Sequence, residues 1–401
     1  MSSPSTSAAA PAQRIRLGVD FHVWDELFQG SRSHILGLYR AAIRLGPDID
    51  FIFFLEGTDS LRQAHAEFAA PNVTLVRMPK WPGVLRLGLQ LPWLQWRHKL
   101  DVLHMQYKLP LLRRGRFACT IHDVLFETHP QYFEPSFARQ MHYFCTQAAQ
   151  KSALLLTVSD YSRQEMVRQY GLAPEAIHVT ANAVDHSRFY PGTDGEDLVR
   201  ALGLTPGRYL LTVGRLEPRK NHVTLLKAYA TLPPDSPPLV IVGQRDFQHD
   251  AVFETIAALG LNDRVKVLEK VSDTQLPAVL RHAQLFAYPT FAEGFGMPVL
   301  EAMASGVPVI TANSTALPEV AGEAALLVHP SDEGGLAAAM HEVLNDDRRA
   351  EAMRQAGVLQ AARFSWDASA QTLLAGIRHT CSGMRPSDGG LSAGSNTPLR
   401  P

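Results

Sequence analysis

Apolar runs of four to eight residues alternate along the chain with longer stretches whose apolar positions recur at helical spacing. The runs at 15–21, 49–55, 72–78, 101–107, 116–123 and 153–159 are short, continuous and bounded by polar or turn residues, which predicts buried strands. Between them, SHILGLYRAAIRL (33–45) and YSRQEMVRQYG (161–171) carry helical spacing, the second ending in a glycine suited to a left-handed cap. A short strand and a Pro/Gly-rich connection follow within 178–205. The alternation then restarts, with strands predicted at 209–215, 238–244, 264–271, 285–290, 307–313 and 324–330. Strand–helix alternation of this kind builds parallel sheets covered by helices on both faces. The expected architecture is α/β: two Rossmann-like, doubly wound domains, 14–190 and 191–363, followed by a helix over 364–381. Ligands of such sheets bind at the carboxyl ends of the strands, so a cleft between the halves is the expected site. Residues 1–13 and 382–401 lack periodicity and are predicted to be disordered.

Composition narrows the classes. The chain has 401 residues, 46% of them hydrophobic, and a formal net charge of −1, which gives no whole-protein case for nucleic-acid binding. No apolar run approaches the roughly 20 residues of a membrane-spanning helix, and the polar start lacks the features of a secretory signal, so a cytoplasmic location is expected. Cys119, Cys145 and Cys381 form no C-x-x-C pair, which argues against a disulfide framework or a cysteine-built zinc site. Charge and tryptophan are uneven, however. The stretch 77–116 holds nine Lys and Arg, one acid (Asp101) and three tryptophans, Trp81, Trp93 and Trp96. That stretch suggests contact with an anionic membrane surface, peripheral at the inner face of the plasma membrane. The competing expectation is a solvated helix over 85–99 whose tryptophans pack on the first domain, because its leucines form no clean stripe.

Several motifs are absent: no G-x-G-x-x-G follows a strand and no Gly-Lys pair of a P-loop occurs. The one D-x-D string, Asp48-Ile49-Asp50, lies at a strand entry beside Pro47 and reads as a turn rather than a metal site.

The chemistry concentrates in four segments. In LFAYPTFAEGFGMPVLEAMASGVPVI (285–310) a strand ends, a glycine-containing loop follows, and Pro298 stands where the first position of a helix belongs. First-turn amides of a helix lack intrahelical acceptors, which offers Val299 and Leu300 as donors to an anionic oxygen. Glu293 and Glu301 are eight positions apart, one in the loop and one a turn into the helix. In TVGRLEPRKNHVTLLKAY (212–229), Arg215 and Lys220 follow a strand end, ahead of a helix that Asn221 is placed to cap. Two cations there suit a diphosphate whose charge grows as a bond to it breaks. RFACTIHDVLF (116–126) puts His122 and Asp123 at a strand end, and WDELFQGSRSHILG (24–37) places Gly30 between the first strand and its helix.

Taken together, AEGFGMPVLEAMASGVPV, G-R-L-E-P-R-K-N and T-I-H-D resemble the retaining GT-B glycosyltransferases, specifically glycosyltransferase family 4. The resemblance covers roughly 14–380 and is stronger in the second half. It implies a GT-B fold whose last helix crosses back to the first domain, and a nucleotide diphosphate sugar as donor. Glu293 would accept from sugar hydroxyls and Glu301 from the ribose. The backbone of Gly294, Phe295 and Gly296, with Val299 and Leu300, would contact sugar and diphosphate. Arg215 and Lys220 would clamp the pyrophosphate without a metal or other cofactor, with Arg219 as a substitute for either. His122 would face the donor sugar, Asp123 would orient it or cap the next segment, Gly30 would approach the phosphate, and Lys270 and Val271 would line the base pocket. The strings are most similar to bacterial mannosyltransferases of surface polysaccharide. The resemblance therefore implies GDP-mannose as donor ahead of UDP-glucose, and a glycan or polyprenyl-diphosphate-linked acceptor. A GT-B epimerase or phosphorylase is the alternative in another reaction class.

Overall fold

In the computed structural model, residues 14–25 and 30–382 are described. Of the predicted disordered ends, 1–13 and 382–401, all but Ser382, which caps the last helix, lie outside them. All thirteen expected strands form, each within two or three residues of its predicted bounds.

The first sheet contains β1 (Ile15–Asp20), β2 (Ile49–Leu55), β3 (Val73–Arg77), β4 (Val102–Gln106), β5 (Arg116–Thr120), β6 (Leu154–Thr157) and β7 (Ile177–Val179). They run parallel in the order β3-β2-β1-β4-β5-β6-β7. The second contains β8 (Leu210–Val213), β9 (Leu239–Val242), β10 (Val265–Leu268), β11 (Leu285–Tyr288), β12 (Val309–Ala312) and β13 (Leu326–Val328), ordered β10-β9-β8-β11-β12-β13. Both orders reverse beside the first strand of their half, the switch point where such sheets leave a crevice.

Apolar runs without polar interruption become strands here because helices cover both faces. In β2, Phe51 and Phe53 point into one core and Ile52 and Phe54 into the other. The first of those cores lies under α1 (Gly30–Leu45) and the second under α2 (Leu91–Arg97) and α3 (Pro135–Lys151). α4 (Asp160–Tyr170) follows β6 and ends at Gly171, whose φ of 64° is the left-handed cap expected of it. In the second half, α5 (His222–Ala230), α6 (Met297–Ala304) and α7 (Leu317–Ala321) follow β8, β11 and β12. α8 (Trp366–Cys381) returns to the first sheet, where Leu373, Leu374 and Ile377 join the α1 core. Gly37 of α1 lets the Trp366 ring lie against the helix backbone; a Cβ there would overlap the ring.

One expectation needs correcting. The 85–99 helix runs from Gly83 to Arg97 through a π-helical turn at Arg86–Gln90, and its tryptophans do not pack on the domain. Trp96 is 74% exposed and Trp93 56%. The segment is anchored instead by Leu87, Leu91 and Leu94, and by Arg86, which reaches Asp20 at the end of β1. The D-x-D string is structural: Asp48 pairs with Arg378 of α8 and Asp50 with Arg14.

Candidate active site

The carboxyl ends of both sheets converge on a cluster built around Glu293. β11 delivers Tyr288, and the loop after it turns Glu293 back toward β8 and the segment that follows. Glu293 Oε1 lies 2.5 Å from Lys220 Nζ, 2.9 Å from the Tyr288 hydroxyl and 3.2 Å from Arg219 Nη1. Lys220 also donates to the Tyr288 oxygen at 2.7 Å. Its methylenes cross Gly214, where an added Cβ would come within 3.3 Å of them. Burial alone would raise the Glu293 carboxyl; Lys220 and Arg219 overcome it and hold the group at about 2. Burial and the neighbouring guanidinium lower Lys220, against the pull of Glu293.

Every side-chain partner of Glu293 within bonding distance sits on Oε1; among the described residues Oε2 has none.

The loop continues through Gly294 and Gly296. Gly296 is the N-cap of α6 with φ 110°, a conformation that excludes a side chain. Pro298 is the second rather than the first helical residue. The amides free to meet an acceptor also shift. Val299 and Leu300 already donate to the Gly296 carbonyl, at 3.0 and 3.4 Å. Among the described residues, the amides of 294, 295, 296 and 297 have no acceptor, so the open donors precede the positions that spacing suggested. Phe295 is buried against Phe364.

Glu301 projects from α6 into a cavity of about 540 Å³ shared with Arg188, Asp273, Leu276 and Met297. Its side chain makes no hydrogen bond or ion pair with any described residue. Burial, reinforced by Asp273 and opposed by Arg188, moves its carboxyl up to about 7. The half-buried carboxylate thus faces the cavity without a protein hydrogen-bond donor.

From the first sheet, β5 ends beside His122, whose Nε2 donates to Gln106 Oε1 at 2.6 Å. Its ring packs edge-on to His34 at 4.9 Å. Burial, with His34 and His104 nearby, pushes its pKa well below the usual imidazole value, so the ring is neutral near pH 7. Gln106, not Asp123, orients it. Asp123 caps the next segment through the Leu125 amide at 3.1 Å, and it packs against Gly294, where a Cβ would fall 2.6 Å from Asp123. Glycine at 294 thus lets the two halves touch beside Glu293.

The remaining predicted residues lie further out. Arg215 is half exposed and paired with Asp246 at 2.6 Å, while Arg219 occupies the place beside Glu293. Asn221 stands at the N-cap of α5 without capping it. Its side-chain amide bridges the carbonyls of Pro289 and Pro330 instead. Gly30 opens α1 with no atom of a described residue within 4 Å of a Cβ built on it, so no packing among the described residues demands glycine. Lys270 is exposed and Val271 packs at the edge of a core of the second half. Tyr288, Gln106 and His34 carry no motif; their positions at strand ends and on α1 are the signal they offered.

Comparison with known proteins agrees with this geometry. The family model described as glycosyl transferases group 1 matches 196–359, and that of glycosyltransferase family 4 matches 28–188. The chain is 35% identical to O-antigen chain mannosyltransferase B of Escherichia coli over 260 residues, 64% of this chain and 68% of that one. It is 33% identical to D-inositol 3-phosphate glycosyltransferase of Rhodococcus opacus over 242 residues, 57% of this chain and about half (54%) of that one. The fold matches that of Anabaena Alr3699/HepE, solved in complex with UDP and glucose. There the TM-score is 0.70 at 19% identity, covering 93% of this chain and 100% of that one. The chain belongs to the group 1 glycosyltransferases of glycosyltransferase family 4.

Proposed function

We propose that this protein is a retaining hexosyltransferase that moves mannose from GDP-mannose to a glycan or polyprenyl-diphosphate-linked oligosaccharide. The observation that carries the donor site is Glu301: a half-buried carboxylate that lines the cavity with no side-chain hydrogen bond to any described residue, one turn into the helix that opens beneath Glu293. Two ribose hydroxyls supply the donors it lacks. Glu293 Oε2 accepts from sugar hydroxyls while Lys220 and Tyr288 fix Oε1. The diphosphate rests on the open amides of 294–297 and is met by Lys220, with Arg215 drawn from Asp246. These cations and amides stabilise the leaving charge where a metal otherwise would, so turnover should survive EDTA. The mannose assignment is supported by the O-antigen mannosyltransferases of Escherichia coli and Salmonella typhimurium among the relatives.

Transfer is front-face. The acceptor oxygen attacks the anomeric carbon from the side the diphosphate leaves, the bond from that carbon to the phosphate oxygen breaks, and a phosphate oxygen takes the acceptor proton. Neutral His122, held by Gln106, offers the sugar a hydrogen bond without adding charge. The protein thus acts chiefly by positioning and electrostatics.

We also propose that the face around α2 lies on an anionic bilayer. Among the described residues, ten of the fifteen exposed large hydrophobic ones fall within 81–143, interleaved with Lys80, Arg97, Lys99, Arg113 and Arg114. No helix among the described residues is long and apolar enough to cross a membrane.

The test is a donor panel of GDP-mannose, UDP-glucose and ADP-glucose with lipid-linked acceptors, read by NMR of the product. An α-linked mannoside from GDP-mannose supports the proposal. Transfer from UDP-glucose alone overturns the donor, an inverted linkage overturns the mechanism, and isomerised or phosphorolysed sugar overturns the reaction class.

A further inference from the structure

Between the halves lies a set of hydrogen bonds that the donor site does not use. α4, from the first half, begins after Ser159, whose hydroxyl accepts from the Ser162 amide at 3.0 Å. The amides of Asp160 and Tyr161, which a helix start leaves without acceptors, donate to Glu319 of α7 in the second half. Those distances are 2.9 Å to Oε1 and 3.1 Å to Oε2. The hydroxyls of Ser159 and Ser162 donate to the Gly294 carbonyl at 2.7 and 3.2 Å. Both serines are buried, at 0% and 1% exposure, whereas Glu319 sits at the surface edge. Close by, Tyr132 of the first half stacks on Phe291 of the second, with ring centroids 5.6 Å apart.

Gly294 is the residue after Glu293. Whatever fixes its carbonyl fixes the loop that carries Glu293 and the open amides relative to His122 and Asp123. Bonds of this kind join two bodies linked only by connecting segments, and they form or break when those bodies rotate. The carboxylate at the start of α4 is also favoured by the helix dipole, and hydrogen bonds to a charged group are the stronger sort.

We propose that Ser159, Ser162 and Glu319 form a closure latch that seats the donor loop against the first domain, making all three positioning residues for transfer. The proposal rests on the reading of the 293–297 loop as the donor loop. Its chemistry is specific: two hydroxyls grip one carbonyl, and one carboxylate caps one helix, each from opposite halves.

The test uses the full chain with Glu175→Cys and Asp347→Cys, both exposed, spin-labelled to report the distance between the halves with and without GDP. Wild type should give one short distance with nucleotide bound. Glu319→Ala, and separately Ser159→Ala with Ser162→Ala, should add a longer population. In the unlabelled chain they should lower kcat about tenfold while GDP affinity stays within twofold. Glu319→Gln, which keeps an acceptor, should recover part of the loss; a merely structural lesion would not be rescued in this way. If Glu319→Ala fails to fold, the serine pair and Glu319→Gln decide. An unchanged distance distribution overturns the latch whatever the turnover, and a longer population with unchanged kcat overturns the positioning role. If no donor gives turnover, the functional reading fails while the distances still decide the latch.

Discussion

Glu293→Gln keeps the shape of the side chain and removes its charge, leaving Lys220 and Arg219 facing a neutral amide. In the wild type the carboxyl is held at about 2 against an ordinary 4.5. At about 1.4 kcal/mol per pH unit, the folded chain favours the ionised form by about 3 kcal/mol. Part is recovered in the variant because Arg219 keeps Glu217, at 2.7 Å, so a loss of about 2–3 kcal/mol is expected at pH 7. Domains of this size move about 2–4 °C per kcal/mol, which places the melting temperature roughly 5–10 °C lower. Turnover should also fall at least a hundredfold, since the loop is set for a carboxylate. The sign with pH is fixed: a depressed carboxyl stabilises above its unfolded value and loses that contribution as pH falls through the folded one. The gap between wild type and variant, followed by urea unfolding of each from pH 7 downward, should narrow below about 4.5 and close near 2. A gap absent at pH 7, or one that stays constant into acid, would refute the electrostatic account of this cluster.

Other outcomes follow from the same geometry. Glu301, held near 7, is protonated in more acid solution and loses an acceptor for ribose hydroxyls. GDP-mannose affinity measured by calorimetry should therefore fall by up to tenfold per pH unit below 7 and level off above it. Glu301→Gln should flatten that profile, and a flat wild-type profile would remove the ribose role. Gly294→Ala forces a Cβ against Asp123 and should cut turnover more than a hundredfold with little change in α-helical circular dichroism; near-normal rates would show that the halves need not touch there. Gly37→Ala should cost about 1–3 kcal/mol in chemical denaturation, because the added Cβ overlaps the Trp366 ring and forces it to shift. Replacing Trp93 and Trp96 together by Glu should release the protein from anionic vesicles in co-sedimentation without altering its melting temperature. Unchanged sedimentation would mean that another surface binds lipid.

Much of the fold was legible in the sequence because strands covered on both faces read as uninterrupted apolar runs, and these recur thirteen times at the right spacing. The segment proposed to hold the donor was legible as one unit for a related reason: Glu293, Gly296 and Glu301 lie on one strand–loop–helix, whose geometry is local. What spacing could not give was which groups meet across elements. The sequence points to Arg215 first and to Arg219 only as a substitute, and only the turn at 218–220 decides that Arg219 reaches Glu293. Gln106 orients His122 because β4 and β5 are neighbours, with Gln106 paired to Thr120. The contacts of Gly294 with Asp123, Ser159 and Ser162 join positions more than 130 residues apart. The tryptophans of 81–96 were read as core or surface with equal reason, because a leucine set that anchors a π-turned helix leaves no regular stripe.

The central claim is that a nucleotide's diphosphate lies on the loop that opens α6, between Lys220 and the unpaired Glu301. The most direct measurement is a crystal structure with GDP-mannose bound. The account predicts phosphate oxygens within hydrogen-bond distance of amides in 294–297 and of Lys220 Nζ, with both ribose hydroxyls on Glu301. A nucleotide seated elsewhere, or one in this cleft with Glu301 still unpaired, would contradict it.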